Sequence, residues 1–290
     1  MPKRLAACFA VLCLMLAFVS PTPAGAAPQA GPGARGRDVI DIAHRGSSGS
    51  APENTVGAIR FAVDHRASFV EIDVQRSADG KLVVMHDTTL ARTTNAKEMF
   101  PTRSPWNIRD FTFADIRQLD AGTWFSTDFA GERVPTLREI VEALRGRAGL
   151  LLEVKAPELY PGIEAEIHKE LASIPGYLPV ALRLGKLVVQ SFNVDSLRTY
   201  HQIAPEVPLG ILFSARPTEE ALVEASTWAR QINPSTTVTD QALVQRVHEL
   251  GMTISVYTPN TGQLMRQYIG LGVDGIITNY PGVLRDILGR

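Results

Sequence analysis

The sequence predicts an α/β fold, namely a TIM barrel in which eight parallel strands are surrounded by helices. Two observations support this prediction: eight short apolar runs recur along the chain, and helical patterns separate most of them. Alternation of strand and helix is typical of a parallel sheet covered by helices, and eight strands are the number that a TIM barrel needs. No internal repeat and no second low-complexity linker is found, which favours one barrel-sized domain over two small ones.

The strand runs are short and rich in Val, Ile and Leu, whereas the helical patterns repeat apolar residues every three to four positions. The candidate strands are 39–43, 69–74, 82–86, 150–154, 187–191, 209–213, 253–257 and 275–278. The candidate helices are 55–65, 136–145, 162–174, 194–202, 218–230, 239–250 and 262–271. The first of these helices follows a Pro52-Glu53-Asn54 start signal.

The connection between the second and third candidate strands breaks this alternation. Only residues 75–81 separate them, they contain an Ala78-Asp79-Gly80 turn signal, and a crossover needs about a dozen residues. Two arrangements remain open: a hairpin that projects from the barrel, or a barrel in which a loop replaces one helix. In the hairpin, His86 would lie opposite Ile72 or Asp73.

A long polar and aromatic segment, residues 88–134, follows the third candidate strand and contains Trp106 and Trp124. Connections within compact domains are usually much shorter, and long ones are commonly functional. We therefore expect this insertion to form a cap or side lobe near the mouth of the barrel.

Residues 1–26 are expected to be a secretory signal peptide. Lys3 and Arg4 precede an apolar run over residues 5–19, and residues 24–26 (AGA) match a small-x-small cleavage site. The run is shorter than the ~20 residues that span a bilayer comfortably, so a retained anchor is the weaker alternative. We expect a secreted or periplasmic protein without a stable membrane anchor.

A Gly-, Pro- and Ala-rich lead-in, residues 27–37, precedes the barrel domain at 38–290. Both cysteines, Cys8 and Cys13, lie in the predicted signal peptide, so the exported chain would contain no disulfide and no thiolate metal ligand. The whole chain has 29 Lys and Arg against 30 Asp and Glu, a net charge of −1. With no basic run either, we expect no nucleic-acid partner.

Carboxylates cluster at predicted strand ends. Strand side chains alternate faces, so Glu71 and Asp73 point the same way, as do Glu153 and Lys155. The carboxyl ends of the strands converge at the working face of a barrel. Three carboxylates without a thiol form a hard oxygen site that suits Mg²⁺ or Ca²⁺ better than zinc, and Lys155 could neutralise a carboxylate or bind an anion.

Each of these features has an ordinary explanation when it occurs alone. A Glu-x-Asp strand is usually a solvated sheet face, and a histidine at a strand end is usually a hydrogen-bonded core residue. Charged groups at four strand ends instead favour a functional site that includes His44 and His86. Gly46, after His44 and Arg45, permits a sharp turn and close approach of a ligand. The remaining histidines are expected at the surface: His65, His168, His201 and His248.

Motifs along residues 38–290 resemble the glycerophosphodiester phosphodiesterase family, and they occur in the order typical of that family. They are HRG at 44–46, PENT at 52–55, EIDV at 71–74, DG at 79–80, HD at 86–87, RTT at 92–94, VPTLRE at 134–139, EVK at 153–155, QSF at 190–192 and GVDGIITNYP at 272–281. The resemblance implies a TIM barrel with an insertion after the third strand. It also implies hydrolysis of glycerophosphodiesters to glycerol 3-phosphate and an alcohol.

The same resemblance implies three roles for residues of this chain. They are binding of one divalent metal ion, Ca²⁺ or Mg²⁺, by Glu71, Asp73 and Glu153; acid–base catalysis by His44 and His86; and phosphate binding by Arg45 and Lys155. The sequence leaves open which histidine is the acid. It also leaves open whether water or the substrate's own glycerol hydroxyl is the nucleophile.

Two positions depart from the family pattern. Tyr257 stands where the family often has tryptophan. The aromatic platform is therefore smaller and carries a hydroxyl, which leaves the preference for the alcohol part of the substrate open. Asn279 stands where aspartate is common, and we expect little effect on the metal site.

Three alternatives concern function. A lysophospholipase D or sphingomyelinase D type enzyme would use the same barrel, although secreted members of that class usually carry disulfides. With this alternative kept, the expected small-molecule substrate is a glycerophosphodiester or a lysophospholipid. A non-catalytic phosphodiester-binding protein would not need the full set of histidines and carboxylates, and a structural surface protein would not need charge at four strand ends. The sequence predicts no oligomeric state.

Overall fold

The computed structural model describes residues 39–290, so the predicted signal peptide (1–26) and lead-in (27–37) lie outside the described residues. Nine strands occur in this part of the chain. They are β1 (Ile40–Ala43), β2 (Phe69–Arg76), β3 (Leu82–Val84), β4 (Gly149–Val154), β5 (Leu187–Ser191), β6 (Leu209–Phe213), β7 (Gln231–Pro234), β8 (Thr253–Tyr257) and β9 (Gly275–Thr278).

Eleven α-helices occur in the same range of residues, and most of them follow a barrel strand. They are α1 (Val56–Asp64), α2 (Ala96–Met99), α3 (Phe113–Ile116), α4 (Leu137–Leu144), α5 (Ile163–Ser173), α6 (Tyr177–Arg183), α7 (Val194–Ile203), α8 (Glu219–Ala225), α9 (Gln241–Glu249), α10 (Gly262–Leu271) and α11 (Pro281–Leu288). Side-chain caps fix several helix starts. Thr136 and Glu139 form a reciprocal capping box at α4, and Thr55 caps α1.

The strands close into the predicted TIM barrel. Their order around the barrel is β1-β9-β8-β7-β6-β5-β4-β2, and β1 pairs with β2 in parallel to complete the ring. Adjacent barrel strands are parallel throughout, so their carboxyl ends share one face.

The short connection at residues 75–81 forms the hairpin of the first arrangement. Strand β3 pairs with β2 antiparallel, with Val74 opposite Val84 and Arg76 opposite Leu82. The Met85 amide donates to the Asp73 carbonyl at 2.9 Å, which brings the residues after β3 beside the end of β2. The 82–86 run is therefore not a barrel strand, and counting it as one of the eight was wrong.

The eighth barrel strand is β7, which the sequence pattern missed. The predicted helix 218–230 was too long: α8 ends at Ala225, and the chain then enters the barrel wall. Gln231 and Asn233 are buried polar residues inside the barrel, where Asn233 donates to the Gln190 side chain at 2.7 Å. A four-residue strand with two polar residues gives no apolar run, which explains the omission.

The two faces of β2 show how the core is divided. Val70, Ile72 and Val74 pack in the main hydrophobic layer between the strands and the outer helices, and all three are fully buried. The alternate residues, including Glu71 and Asp73, point to the other face, inside the barrel. A small apolar cluster of Ile42, Leu151 and Ile277 fills part of that interior.

The insertion at residues 88–134 forms a side lobe with its own hydrophobic cluster. Short helices α2 and α3 surround a core to which the hairpin also contributes. The buried members are Val83, Met85, Leu90, Ala96, Ile108, Phe111, Ile116, Leu119, Ala121 and Val134. The lobe is therefore packed directly on the hairpin that carries His86.

Among the described residues, we find no helix that is both long enough and apolar enough to cross a membrane.

We expect Leu152→Ala to destabilise the barrel by about 2–5 kcal/mol, because Leu152 is fully buried in β4 and its truncation leaves a cavity. Leu184→Ala is the matched control, since Leu184 is 57% exposed and should change stability by less than about 1 kcal/mol. Urea denaturation measures the free energy of unfolding of both variants. Equal losses in the two variants would contradict the assigned core.

Candidate active site

The end of β1 introduces His44 and Arg45 to the mouth of the barrel. Both Arg45 and Gly46 have positive φ angles, 55° and 80°, so the chain turns sharply here. A Cβ on Gly46 would lie 2.7 Å from the Ala58 carbonyl carbon of α1. The sharp turn is as expected, but the close neighbour of Gly46 is the α1 backbone.

The three predicted metal-binding carboxylates meet at this mouth. Glu71 and Asp73 extend from β2, and Glu153 extends from the adjacent β4, where Asp73 and Glu153 are register partners. One oxygen from each carboxylate lies within 4.8 Å of the others, and all three residues are buried. The arrangement can hold a cation on oxygen ligands.

Two cationic side chains lie against this acidic group. Lys155 Nζ is 2.9 Å from a Glu153 oxygen and 3.5 Å from an Asp73 oxygen. Arg45 Nε is 3.6 Å from Asp73, and its backbone amide donates to Glu71 at 2.9 Å. These contacts offset part of the negative charge without removing it.

Burial and mutual repulsion separate the pKa values of the three carboxyls. Burial, together with Asp73 and Glu153, raises the pKa of Glu71 well above its ordinary value. Burial and Asp73 likewise raise the pKa of Glu153 to about 7, against opposition from Lys155. Although burial acts in the other direction, Lys155 and Arg45 hold the pKa of Asp73 below its ordinary value. Without a further cation, the site therefore favours the protonated forms of Glu71 and Glu153 more than water would.

The His44 ring is oriented by an amide. Its Nδ1 lies 2.6 Å from Asn279 Oδ1, at the end of β9. Burial and the nearby Arg45 lower the pKa of His44 to about 4, and the bond to Asn279 opposes this only in part. His44 is therefore neutral near pH 7. The contact of Asn279 with this histidine was not foreseen.

The His86 ring has a carboxylate partner instead. Its Nδ1 is 2.8 Å from Asp87 Oδ1. Burial, Arg45 and Lys155 leave the pKa of His86 below its ordinary value, although Asp73 and Asp87 oppose this. The backbone of this segment is held from below by the buried Gln75, whose Nε2 donates to the carbonyls of Met85 at 2.7 Å and Asp87 at 2.8 Å.

These groups surround a cavity of about 220 Å³ at the carboxyl ends of the strands. It is lined by His44, Arg45, Glu71, His86, Glu153, Lys155, Gln190, Phe192, Leu212, Tyr257, Thr258 and Ile277. Seven of the eight predicted site residues thus share one cavity, and the eighth, Asp73, contacts its Arg45 and Lys155.

Tyr257 contributes a ring to this cavity rather than a free hydroxyl. Its hydroxyl donates to the Phe213 carbonyl at 3.1 Å, and its ring meets Phe192 edge-on with centroids 5.9 Å apart. Phe192 is 46% exposed, so the two rings form an aromatic wall that reaches solvent.

Sequence reasoning missed several polar residues that support the site. Asn54 donates to Asp73 at 2.8 Å, and Gln190 lies 3.5 Å from Glu71. Asn54 lies in the PENT motif and Gln190 in the QSF motif, so both could have been identified from these motifs, whereas Gln75 resembles any polar residue in a strand. Of the four histidines expected at the surface, His65 is exposed and the others are half-buried on outer helices: His168, His201 and His248.

Comparison with known proteins agrees with this geometry. The sequence model of the glycerophosphoryl diester phosphodiesterase family matches residues 44–283. A glycerophosphodiester phosphodiesterase of Bacillus subtilis (strain 168) is 35% identical over 263 residues, which cover 86% of each chain. One from Caldanaerobacter subterraneus subsp. tengcongensis is 34% identical over 251 residues, covering 86% of this chain and 97% of the relative.

Solved structures give the same result. A phosphodiesterase of Oleispira antarctica, determined in complex with the product sn-glycerol-3-phosphate, superposes with a TM-score of 0.76. It is 30% identical, and the match covers 86% of this chain and 96% of that one. A glycerophosphodiester phosphodiesterase of Agrobacterium tumefaciens gives a TM-score of 0.68 at 27% identity, covering 86% and 99%.

The raised pKa of Glu153 predicts a specific pH dependence of stability in chelated protein. Between pH 4.5 and about 7 the folded state holds a proton on Glu153 that the unfolded state has lost, so stability from this group falls as pH rises. The free energy of unfolding of the wild type, minus that of Glu153→Gln, should fall by about 3 kcal/mol across this window.

His44 titrates in both proteins, so the difference reports Glu153 together with its repulsion of Glu71. Urea denaturation at several pH values in the presence of a chelator measures it. Parallel pH curves for the two proteins would show that the Glu153 pKa is not raised.

Proposed function

The chain belongs to the glycerophosphoryl diester phosphodiesterase family and is a phosphoric diester hydrolase, and we infer that it hydrolyses glycerophosphodiesters to glycerol 3-phosphate and an alcohol with a divalent metal ion and two histidines. One observation carries this inference: a single cavity gathers two histidines, two cationic side chains and the buried carboxylates at the strand ends. A phosphodiester needs each of these groups.

The chemistry of the donor set fits Mg²⁺ or Ca²⁺. Glu71, Asp73 and Glu153 supply oxygens only, they are buried, and their mutual repulsion favours a bound cation. These three carboxylates would hold the ion. When bound, it supplies positive charge that stabilises negative charge on the nonbridging phosphate oxygens.

Arg45 and Lys155 support binding of the phosphate from the protein side. Both line the cavity, and the buried Nε of Arg45 has no hydrogen-bond acceptor among the described residues. Glu53 fixes the other end of the guanidinium, with Arg45 Nη1 at 3.0 Å from Glu53 Oε1. A positioned cation of this kind stabilises charge that develops in the transition state, which is usually a large catalytic term.

The partners of the two histidines support one assignment of base and acid. The Asn279 oxygen accepts from His44 Nδ1, which leaves Nε2 without a proton and able to accept one. Asp87 instead places a negative charge beside His86, which favours a protonated ring. His44 is thus the general base, and His86 is the general acid.

Proton and bond changes balance as follows. His44 Nε2 accepts the proton of the attacking hydroxyl, which belongs to water or to the substrate's own glycerol. A new P–O bond forms, the P–O bond to the alcohol breaks, and His86 donates a proton to the departing oxygen. The internal route passes through a cyclic phosphate, which water then opens with the histidine roles exchanged.

We expect chelated protein to be inactive, and added Mg²⁺ or Ca²⁺ to restore release of glycerol 3-phosphate from glycerophosphocholine or glycerophosphoethanolamine. An enzyme-coupled assay of glycerol 3-phosphate measures this release, with a lysophospholipid as the comparison substrate. No release from either glycerophosphodiester with either ion would refute the substrate assignment. Preference for the lysophospholipid would assign the chain to the lysophospholipase D type instead.

His44→Ala is the matched variant for this assay. It should lower kcat by about 100-fold or more while metal binding, measured by calorimetry, stays near the wild-type value. A variant with unchanged turnover would contradict the role of His44 as base.

We also propose that the chain is exported, because residues 1–26 combine a basic start, an apolar run and a small-residue cleavage pattern. Expression of the whole chain in a bacterium, followed by fractionation, should recover activity outside the cytoplasm, with an N-terminus near residue 27. Deletion of residues 5–19 should retain the activity in the cytoplasm. Equal distribution of both proteins between the fractions would contradict export.

A further inference from the structure

Arg92 lies outside the cavity but contacts two residues that hold the catalytic groups. Its Nε and Nη2 donate to the two Asp87 oxygens at 2.7 and 2.9 Å. Its Nη1 and Nη2 donate to the two Glu53 oxygens at 3.0 and 2.7 Å. Two bidentate pairs on one guanidinium fix both carboxylates in orientation as well as in charge.

The Arg92 contacts complete a continuous chain of hydrogen bonds around the mouth. Asp87 accepts from His86 Nδ1 on one side of Arg92, and Glu53 accepts from Arg45 on the other. The proposed acid and the proposed phosphate ligand are therefore connected through a residue that touches neither substrate nor metal.

The insertion supplies and supports this residue. Arg92 lies in the first turn of the 88–134 segment, between the buried Leu90 and the buried Thr93 and Thr94. The Thr94 hydroxyl donates to the Leu90 carbonyl, and the Arg92 guanidinium lies 6.0 Å from the ring centre of Trp124. The lobe core thus determines where the guanidinium sits.

We propose that Arg92 is a positioning residue for the general acid: it fixes Asp87, and through Asp87 the His86 ring, in the orientation that protonates the leaving alcohol. This proposal rests on the proposed function. Without Arg92, Asp87 Oδ2 loses its donor and Oδ1 keeps only the His86 ring, so the carboxylate and the ring can rotate together. The His86 ring would then lose its orientation, while the metal-binding carboxylates keep theirs.

Stability and positioning can be separated at this residue. The Arg92 side chain is 44% exposed, and ion pairs of exposed side chains contribute little to stability. Removal of Arg92 should therefore leave the fold and the metal affinity intact. Because Arg45 keeps Glu53 and Asp73 beside it, the larger loss should fall on proton donation.

Two substrates that differ in their leaving group distinguish this effect. Choline leaves as an alkoxide and needs a proton, whereas 4-nitrophenolate leaves without one. We expect Arg92→Met to lower kcat about tenfold or more on glycerophosphocholine, and less than about threefold on the 4-nitrophenyl ester of glycerol 3-phosphate. KM and calorimetric Ca²⁺ affinity should stay near the wild-type values, and Arg92→Lys should restore part of the activity.

Arg246→Met is the matched control. Arg246 on α9 also binds two carboxylates, Glu219 and Glu249, and is comparably exposed at 36%, but it lies in an outer helix. It should behave as wild type on both substrates. His86→Ala should show the same preference for the nitrophenyl ester as Arg92→Met, and a larger loss on glycerophosphocholine.

The outcomes separate this proposal from the proposed function. If the wild type hydrolyses neither ester, the proposed function fails. If the wild type is active but Arg92→Met loses equal activity on both esters, or none on either, the positioning role is refuted while the function stands. Equal losses on both esters in His86→Ala would refute the acid assignment, and with it the role of Arg92.

Discussion

The repulsion among three buried carboxylates is the constraint on which the rest of this structure depends. Glu71, Asp73 and Glu153 lie within 4.8 Å of each other and away from water, an arrangement that is costly unless positive charge compensates it. Arg45 and Lys155 compensate part of it, and this requirement explains why both cations end barrel strands beside the acids. A divalent cation would complete the compensation, and oxygen ligands of this kind suit hard cations.

The barrel was largely predictable because its signals are local. Strand and helix periodicities are properties of neighbouring residues, and the parallel arrangement follows from their alternation. Two features depend on contacts distant in sequence, and these needed the structure. The 82–86 run could be assigned to the hairpin only from its pairing with β2, and β7 was hidden because Gln231 and Asn233 face a polar barrel interior.

The active site likewise has a part that the sequence predicts and a part that only the structure reveals. Charged residues at strand ends could be predicted to meet, because parallel strands deliver their carboxyl ends to one face. Their supporting residues could not, since Asn279, Asp87 and Arg92 act through side-chain geometry that no spacing rule contains. The difference between an amide partner for His44 and a carboxylate partner for His86 is what distinguishes two otherwise similar histidines.

The contact of Gln75 with the segment after the hairpin has a consequence for how this site can change. Gln75 donates to backbone carbonyls of residues 85 and 87, which every amino acid possesses. Substitution of the side chains at 86 and 87 therefore alters the chemistry offered to the cavity while the main chain that presents it stays anchored. The position of the proposed acid therefore depends on residue 75 and its chemistry on residue 86, so the two can change separately.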